Sequence, residues 1–173
     1  ALCVIWTTTP WTIPANRAIA YGEDIDYVAL KIKGVSEDSQ AKAGTILVLA
    51  KYLYEEICKE VGIIEFSIVE TFKGSALEGS VCSHPFVNEG YDFDVPVIYG
   101  HHVTTEAGTG LVHTAPGHGP DDFELGKKFG LEIADTINDN AVYGESVKYF
   151  SGIHIFKADP AVMTLLQDVG ALL

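Results

Sequence analysis

Gly108-Thr109-Gly110-Leu111-Val112-His113-Thr114-Ala115-Pro116-Gly117-His118-Gly119-Pro120-Asp121-Asp122 reads as a strand, a tight turn and a helix start within fifteen residues. Leu111 to Thr114 is short and β-rich, and Pro116, Gly117 and Gly119 break it. Pro120 suits a first helical turn, where its missing N–H costs nothing. Asp121 and Asp122 put negative charge at the positive end of the helix dipole, and Gly130 supplies a stop. Two histidines and two carboxylates therefore converge on one loop that regular structure holds on both sides, a usual mounting for functional groups. A bland reading stands beside this one, with glycines for the turn and aspartates for the cap.

Outward from this loop, β-rich runs recur at Leu2 to Thr8, Tyr27 to Ile32, Thr45 to Leu49, Phe66 to Phe72, Val95 to Tyr99 and Gly110 to Thr114. Helical spacing appears at Lys51 to Val61, with Leu53, Ile57 and Val61 on one face and Gly62 as stop. The last helix has Asp159 as its expected cap, Pro160 in the first turn, an apolar face of Val162, Leu165, Leu166 and Val169, and Gly170 at its end. Many short strands with irregularly inserted helices argue against βαβ alternation and for a barrel or sandwich decorated by helices. Gly34 to Gly44 and Asn138 to Glu145 are polar, glycine-bearing loops.

The 173 residues match one domain, and 47% hydrophobic against 20% charged residues is a globular composition. Eleven basic and 24 acidic residues give a formal charge of −13, which removes the general basic footprint of a nucleic-acid binder. A short single-stranded end could still dock through stacking and backbone donors. Cys3, Cys58 and Cys82 are odd in number, widely spaced and set among apolar neighbours, so they read as small structural side chains of a reducing, intracellular compartment. No apolar run approaches the ~20 residues of a membrane helix. A start inside a strand-like run, without Met, reads as an excerpt from a longer polypeptide.

A second chemical segment is Thr7-Thr8-Thr9-Pro10-Trp11-Thr12-Ile13-Pro14-Ala15-Asn16. Threonines are ordinary in strands and prolines end them. A strand end running into proline-rich backbone nevertheless exposes hydroxyls and N–H groups together, able to bind sugar hydroxyls or hold a water. His113, His118, Asp121 and Asp122 also raise a metal reading, but their spacing fits no strong zinc pattern; Gly108-Thr109-Gly110 lacks the Lys-Ser/Thr of a phosphate loop.

Together the two segments resemble the threonine-rich region and the Gly-rich His/Asp loop of the editing domain (connective polypeptide 1) of isoleucyl-tRNA synthetases. The related valyl and leucyl enzymes carry Thr-Thr-Arg-Pro in the first motif and lack the histidine in the second, whereas this chain has Thr9 and His113. The order and separation of the motifs, with Val95-Pro96-Val97-Ile98 between them, extend the resemblance over essentially all of 1–173, one domain of a larger class I synthetase. The synthetic signatures His-x-Gly-His and Lys-Met-Ser-Lys-Ser are absent.

This resemblance implies a mainly β fold, a distorted closed β-barrel with a few peripheral α-helices. It implies a cytoplasmic aminoacyl-tRNA deacylase that hydrolyses Val-tRNA(Ile) without ATP, cofactor, metal or covalent intermediate. Thr7, Thr8, Thr9, His113 and Asp122 would be the catalytic set: threonine hydroxyls on the substrate and attacking water, His113 as a size-limiting wall and possible donor, Asp122 on the α-ammonium. Trp11, Thr12 and Asn16 would shape the adenosine side. Gly117, His118 and Asp121 complete the substrate-binding set, Asp121 mainly as a helix cap. Implied partners are the 3′ end of mischarged tRNA(Ile) and the parent synthetase, the excised domain being monomeric. A noncatalytic module for an amino acid or tRNA end, and a metal hydrolase, remain as alternatives.

Overall fold

A computed structural model describes all of residues 1–173. Eight strands, β1 (Leu2–Cys3), β2 (Ala18–Tyr21), β3 (Asp26–Val35), β4 (Ile46–Ala50), β5 (Ile63–Lys73), β6 (Val81–Ser83), β7 (Asp94–Tyr99) and β8 (Leu111–Thr114), form two four-stranded sheets. Their orders are β1-β4-β3-β5 and β6-β7-β2-β8. Only β1/β4 and β2/β7 pair in parallel. Three helices are attached: α1 (Tyr54–Glu60), α2 (Pro120–Phe129) and α3 (Ala158–Asp168). None is long and apolar enough to cross a membrane.

The expected closed barrel is not what forms, because neither sheet pairs its own edges. Closure needs a staggered ladder all the way round, and here the sheets meet through single bonds. The Ala50 N–H donates to the Thr109 carbonyl at 2.8 Å, and the Thr109 hydroxyl to the Val4 carbonyl at 2.5 Å. Tyr27, fully buried, sends its hydroxyl to the Gly110 carbonyl at 2.6 Å. Gly110 permits this seam: its φ is +76°, and an added Cβ would stand 2.4 Å from that of Ala50. Gly110→Ala should therefore combine a strained backbone with a clash against β4 and cost about 2–4 kcal/mol. Urea unfolding measures this, and a loss under about 1 kcal/mol would mean the seam is loose.

The largest core, twenty buried residues including Tyr27, Leu30, Leu47, Leu49, Val95 and Leu111, fills the space between the sheets. A second of nine joins α3 to the 3-10 turn Pro10–Ala15 through Ile13, Phe86, Tyr143, Phe150, Val162 and Leu165. A third sets Leu125 of α2 over Ala18, Ala20 and Ile98.

Two strands were not among the expected runs. β2, Ala-Ile-Ala-Tyr, is buried at every position and carries no alternation, as befits a strand covered on both faces. β6 has only three residues at a sheet edge. The run from Leu2 pairs only as far as Cys3, since Trp6 and the threonines leave the sheet. Asp159 lies inside α3 instead of capping it, and Gly119, not Asp121, occupies the cap of α2 with no side-chain cap bond.

Candidate functional site

His113 stands on β8 opposite Ile19 of β2, with the Thr7–Thr9 segment at one side and the start of α2 at the other. Between them is a cleft of about 230 Å³ lined by Trp6, Thr7, Thr8, Thr9, Thr12, His113, His118 and Asp122, with Val112 and Ala115 as apolar wall. Pockets for drug-sized ligands run to ~300–1,000 Å³, so this one suits a small group.

The hydrogen bonds around His113 fix its chemistry. The Thr12 hydroxyl donates to the Thr9 carbonyl at 2.9 Å, so toward the imidazole its oxygen can only accept. His113 Nε2 therefore carries the proton and donates to Thr12 across 2.9 Å. Nδ1 is then an acceptor, 2.6 Å from Asn16 Nδ2, whose other hydrogen goes to the Ala18 carbonyl at 3.0 Å. Both ring nitrogens are spent on protein. Burial, with smaller contributions from His84 and His118, pushes the imidazole down to about 4. It meets the cleft as a neutral wall, which removes the donor role held open for it.

Asp122 sits in the first turn of α2, where its Oδ2 accepts the Ala115 N–H at 2.9 Å. Oδ1 has no protein donor. Burial raises this carboxyl above its ordinary value, against the lowering effects of the Ala115 N–H and of His102. Thr7 Oγ1 accepts the Thr9 N–H at 3.0 Å and lies 3.2 Å from the Thr9 hydroxyl, while Thr8 is exposed. His118 bonds Thr136 at 2.7 Å and meets the Trp11 ring edge-on at 5.0 Å.

Four expected site residues stand outside the cleft. Trp11 is held behind it, its N–H donating to Asp159 at 2.9 Å and its carbonyl accepting from the Tyr143 hydroxyl. Asn16 is buried behind His113. Gly117 lies where a Cβ would come 2.9 Å from the Ala134 carbonyl, a close-packing task, and Asp121 is exposed. The four residues of the metal alternative do not come together, and no three His, Cys, Asp or Glu side chains form a cation-binding group.

Trp6, 62% exposed at the mouth, was not among the expected residues; an aromatic ending a strand gives no signal of its own. Neither was His84. Fully buried, it accepts the Phe86 N–H at Nδ1 and donates from Nε2 to the Ile13 carbonyl at 2.9 Å, anchoring the turn that carries Thr12.

Residues 33–155 match the family described as leucyl-tRNA synthetase, editing domain. The chain belongs to this editing-domain family. Among curated proteins the domain is 48% identical over 165 residues to isoleucine–tRNA ligase of Gluconobacter oxydans, covering 95% of the chain. It is 50% identical over 170 residues to that of Shewanella pealeana and 42% to that of Pelagibacter ubique, covering 98% in each case. It spans only 17 or 18% of the length of these relatives. Its sequence thus places it with the isoleucyl editing domains. Among solved structures, GlLeuRS-CP1 superposes with a TM-score of 0.71 at 13% identity, over 96% of this chain and 80% of that one. The editing domain of Plasmodium falciparum cytosolic leucyl-tRNA synthetase gives 0.66 at 11%, over 95% and 76%. These two establish the fold alone.

Proposed function

We propose that this editing domain hydrolyses the ester of valine misattached to tRNA(Ile), acting as a second sieve with a positioned water. The observation that carries the reading is one small cleft that combines threonine hydroxyls, a neutral imidazole wall and a carboxylate with a free oxygen. Asp122 Oδ1 would take the α-ammonium, a charge-assisted contact worth ~1.5–3 kcal/mol. The ester carbonyl and the attacking water would then lie among the Thr7, Thr8 and Thr9 hydroxyls.

His113 cannot act as a general base at Nε2, which already carries its proton toward Thr12. No activated serine or cysteine lines the cleft, so orientation and local dipoles lower the barrier for an ester that is already labile. Trp11, Asn16, Gly117 and Asp121 act by shaping and holding the walls. With a net charge of −13, the domain would engage only the valyl-adenosine 3′ end, while the parent synthetase supplies most of the tRNA affinity.

One methylene in an apolar pocket is worth only ~1–3 kcal/mol, which is why hydrolysis at a second site is needed. By the same arithmetic, His113→Ala should open the wall and raise cleavage of Ile-tRNA by roughly 10- to 100-fold. An intact isoleucyl ester alongside continued cleavage of the valyl ester would sink the wall role.

The deciding experiment is single-turnover hydrolysis of Val-tRNA(Ile) and Ile-tRNA(Ile) by the purified domain, with and without EDTA. Selective, EDTA-insensitive loss of the valyl ester is expected. Survival of both esters with detectable binding of the charged end would favour a noncatalytic module.

A further inference from the structure

Cys3 is on β1, an edge strand held to β4 at only two register positions, and Cys82 is the middle residue of β6, an edge of the other sheet. The fold brings their sulfurs to 3.7 Å, within a thiol–thiol hydrogen bond, across 79 residues of chain. Both side chains are half-buried, whereas Cys58 is buried on α1. Neither belongs to the cleft, and packing alone does not require two sulfurs to face each other at a junction of sheets. A disulfide needs an S–S separation of ~2.05 Å, so a sulfur displacement of about 1.7 Å suffices.

We infer that Cys3 and Cys82 are a redox modification site, a dithiol that closes reversibly into a disulfide joining the two sheets. The oxidant is a small-molecule disulfide such as oxidised glutathione. Cys82 is the attacking sulfur, because the adjacent Cys3 thiol lowers it to about 7, while that hydrogen bond and burial raise Cys3. The Cys82 thiolate attacks one sulfur of the small disulfide, whose S–S bond breaks and releases a thiolate that takes a proton from water. Cys3 then loses its proton to solvent, and its thiolate attacks Cys82 Sγ in the mixed disulfide, expelling the second small thiol. Two protein thiols are oxidised and one small disulfide is reduced to two thiols.

The bond would pin β1 just before the chain enters the cleft wall: Val4, the next residue, already bonds Val48 and Thr109, and Trp6 to Thr9 follow. A cross-link over a loop of this length also restricts the unfolded chain.

The test is oxidation of the full chain in a glutathione buffer, denaturing alkylation, intact mass and peptide mapping. Expected are a fall in alkylatable thiols from three to one, a mass lower by two hydrogens, and a linked Cys3–Cys82 peptide, all reversed by dithiothreitol. The unfolding midpoint should rise by about 5 °C on oxidation and stay unchanged in Cys3→Ser. That variant should halt as a mixed disulfide on Cys82. Three alkylatable thiols after oxidation, a wild-type chain that accumulates only the mixed disulfide, or a link to Cys58 would overturn the assignment.

Discussion

Asp122→Asn should lower single-turnover deacylation of Val-tRNA(Ile) by about 100-fold, the loss of one charge-assisted contact and of the alignment it gives the ester, with no loss of stability. Asparagine keeps the shape and can still accept the Ala115 N–H through its carbonyl oxygen, while the negative oxygen facing the cleft disappears. Because burial raises this carboxyl, its ionised form is a burden on the fold near neutrality, and neutralising it should leave the unfolding midpoint equal or higher. Asp122→Ala should also abolish activity, but it orphans an N–H of a residue only 1% exposed and costs ~1–3 kcal/mol. The asparagine variant therefore separates chemistry from folding. Wild-type turnover in a folded Asp122→Asn domain would remove the carboxylate from the mechanism.

Acid should destabilise the domain well before its carboxylates titrate. His84 and His113 are both pushed down to about 4, burial being the main cause in each. In the unfolded chain each would protonate near ~6.5. Between those values the unfolded state binds more protons, so stability is whole above about 6.5 and falls as the pH drops toward about 4. From pH 7 to pH 5 the two rings together remove roughly 3–4 kcal/mol, a drop of about 10 °C in unfolding midpoint. His118, also lowered by burial, adds to this trend, whereas the raised carboxyl of Asp122 opposes it. Replacing His84 with glutamine should reduce the slope by about half. A midpoint that stays level from pH 7 to pH 5 would show that neither ring is buried neutral.

What could be read from the residues depended on how local the deciding interaction is. β8, its turn and α2 follow from neighbours in sequence: a β-rich tetrad, glycines and prolines, then acidic residues in a first helical turn and Gly130 at its end. β2 was illegible because a strand buried on both faces has no period to detect. Asp159 looked like a cap to its own helix, but in the fold its carboxylate serves the Trp11 N–H, 148 residues away. The site shows the same division. His113 and Asp122 stood out within one motif, yet the protonation state that makes His113 a wall is dictated by Thr12 and Asn16, which lie 101 and 97 residues distant. The wish for a closed barrel failed on similar grounds, since strand count speaks to class while closure depends on how Thr109 and Gly110 meet β4 and Tyr27.

The hold on Trp11 has a consequence for the order in which the molecule comes into being. Trp11 is among the first residues to be translated, and the groups that fasten it, Tyr143 and Asp159, are among the last. At ~5–20 residues per second the ribosome needs roughly 7–30 s to span that interval. Throughout it the threonine wall has no anchor on α3. A nascent chain can thus build both sheets and still hold no finished cleft, and assembly of the site is the closing event of the domain's synthesis.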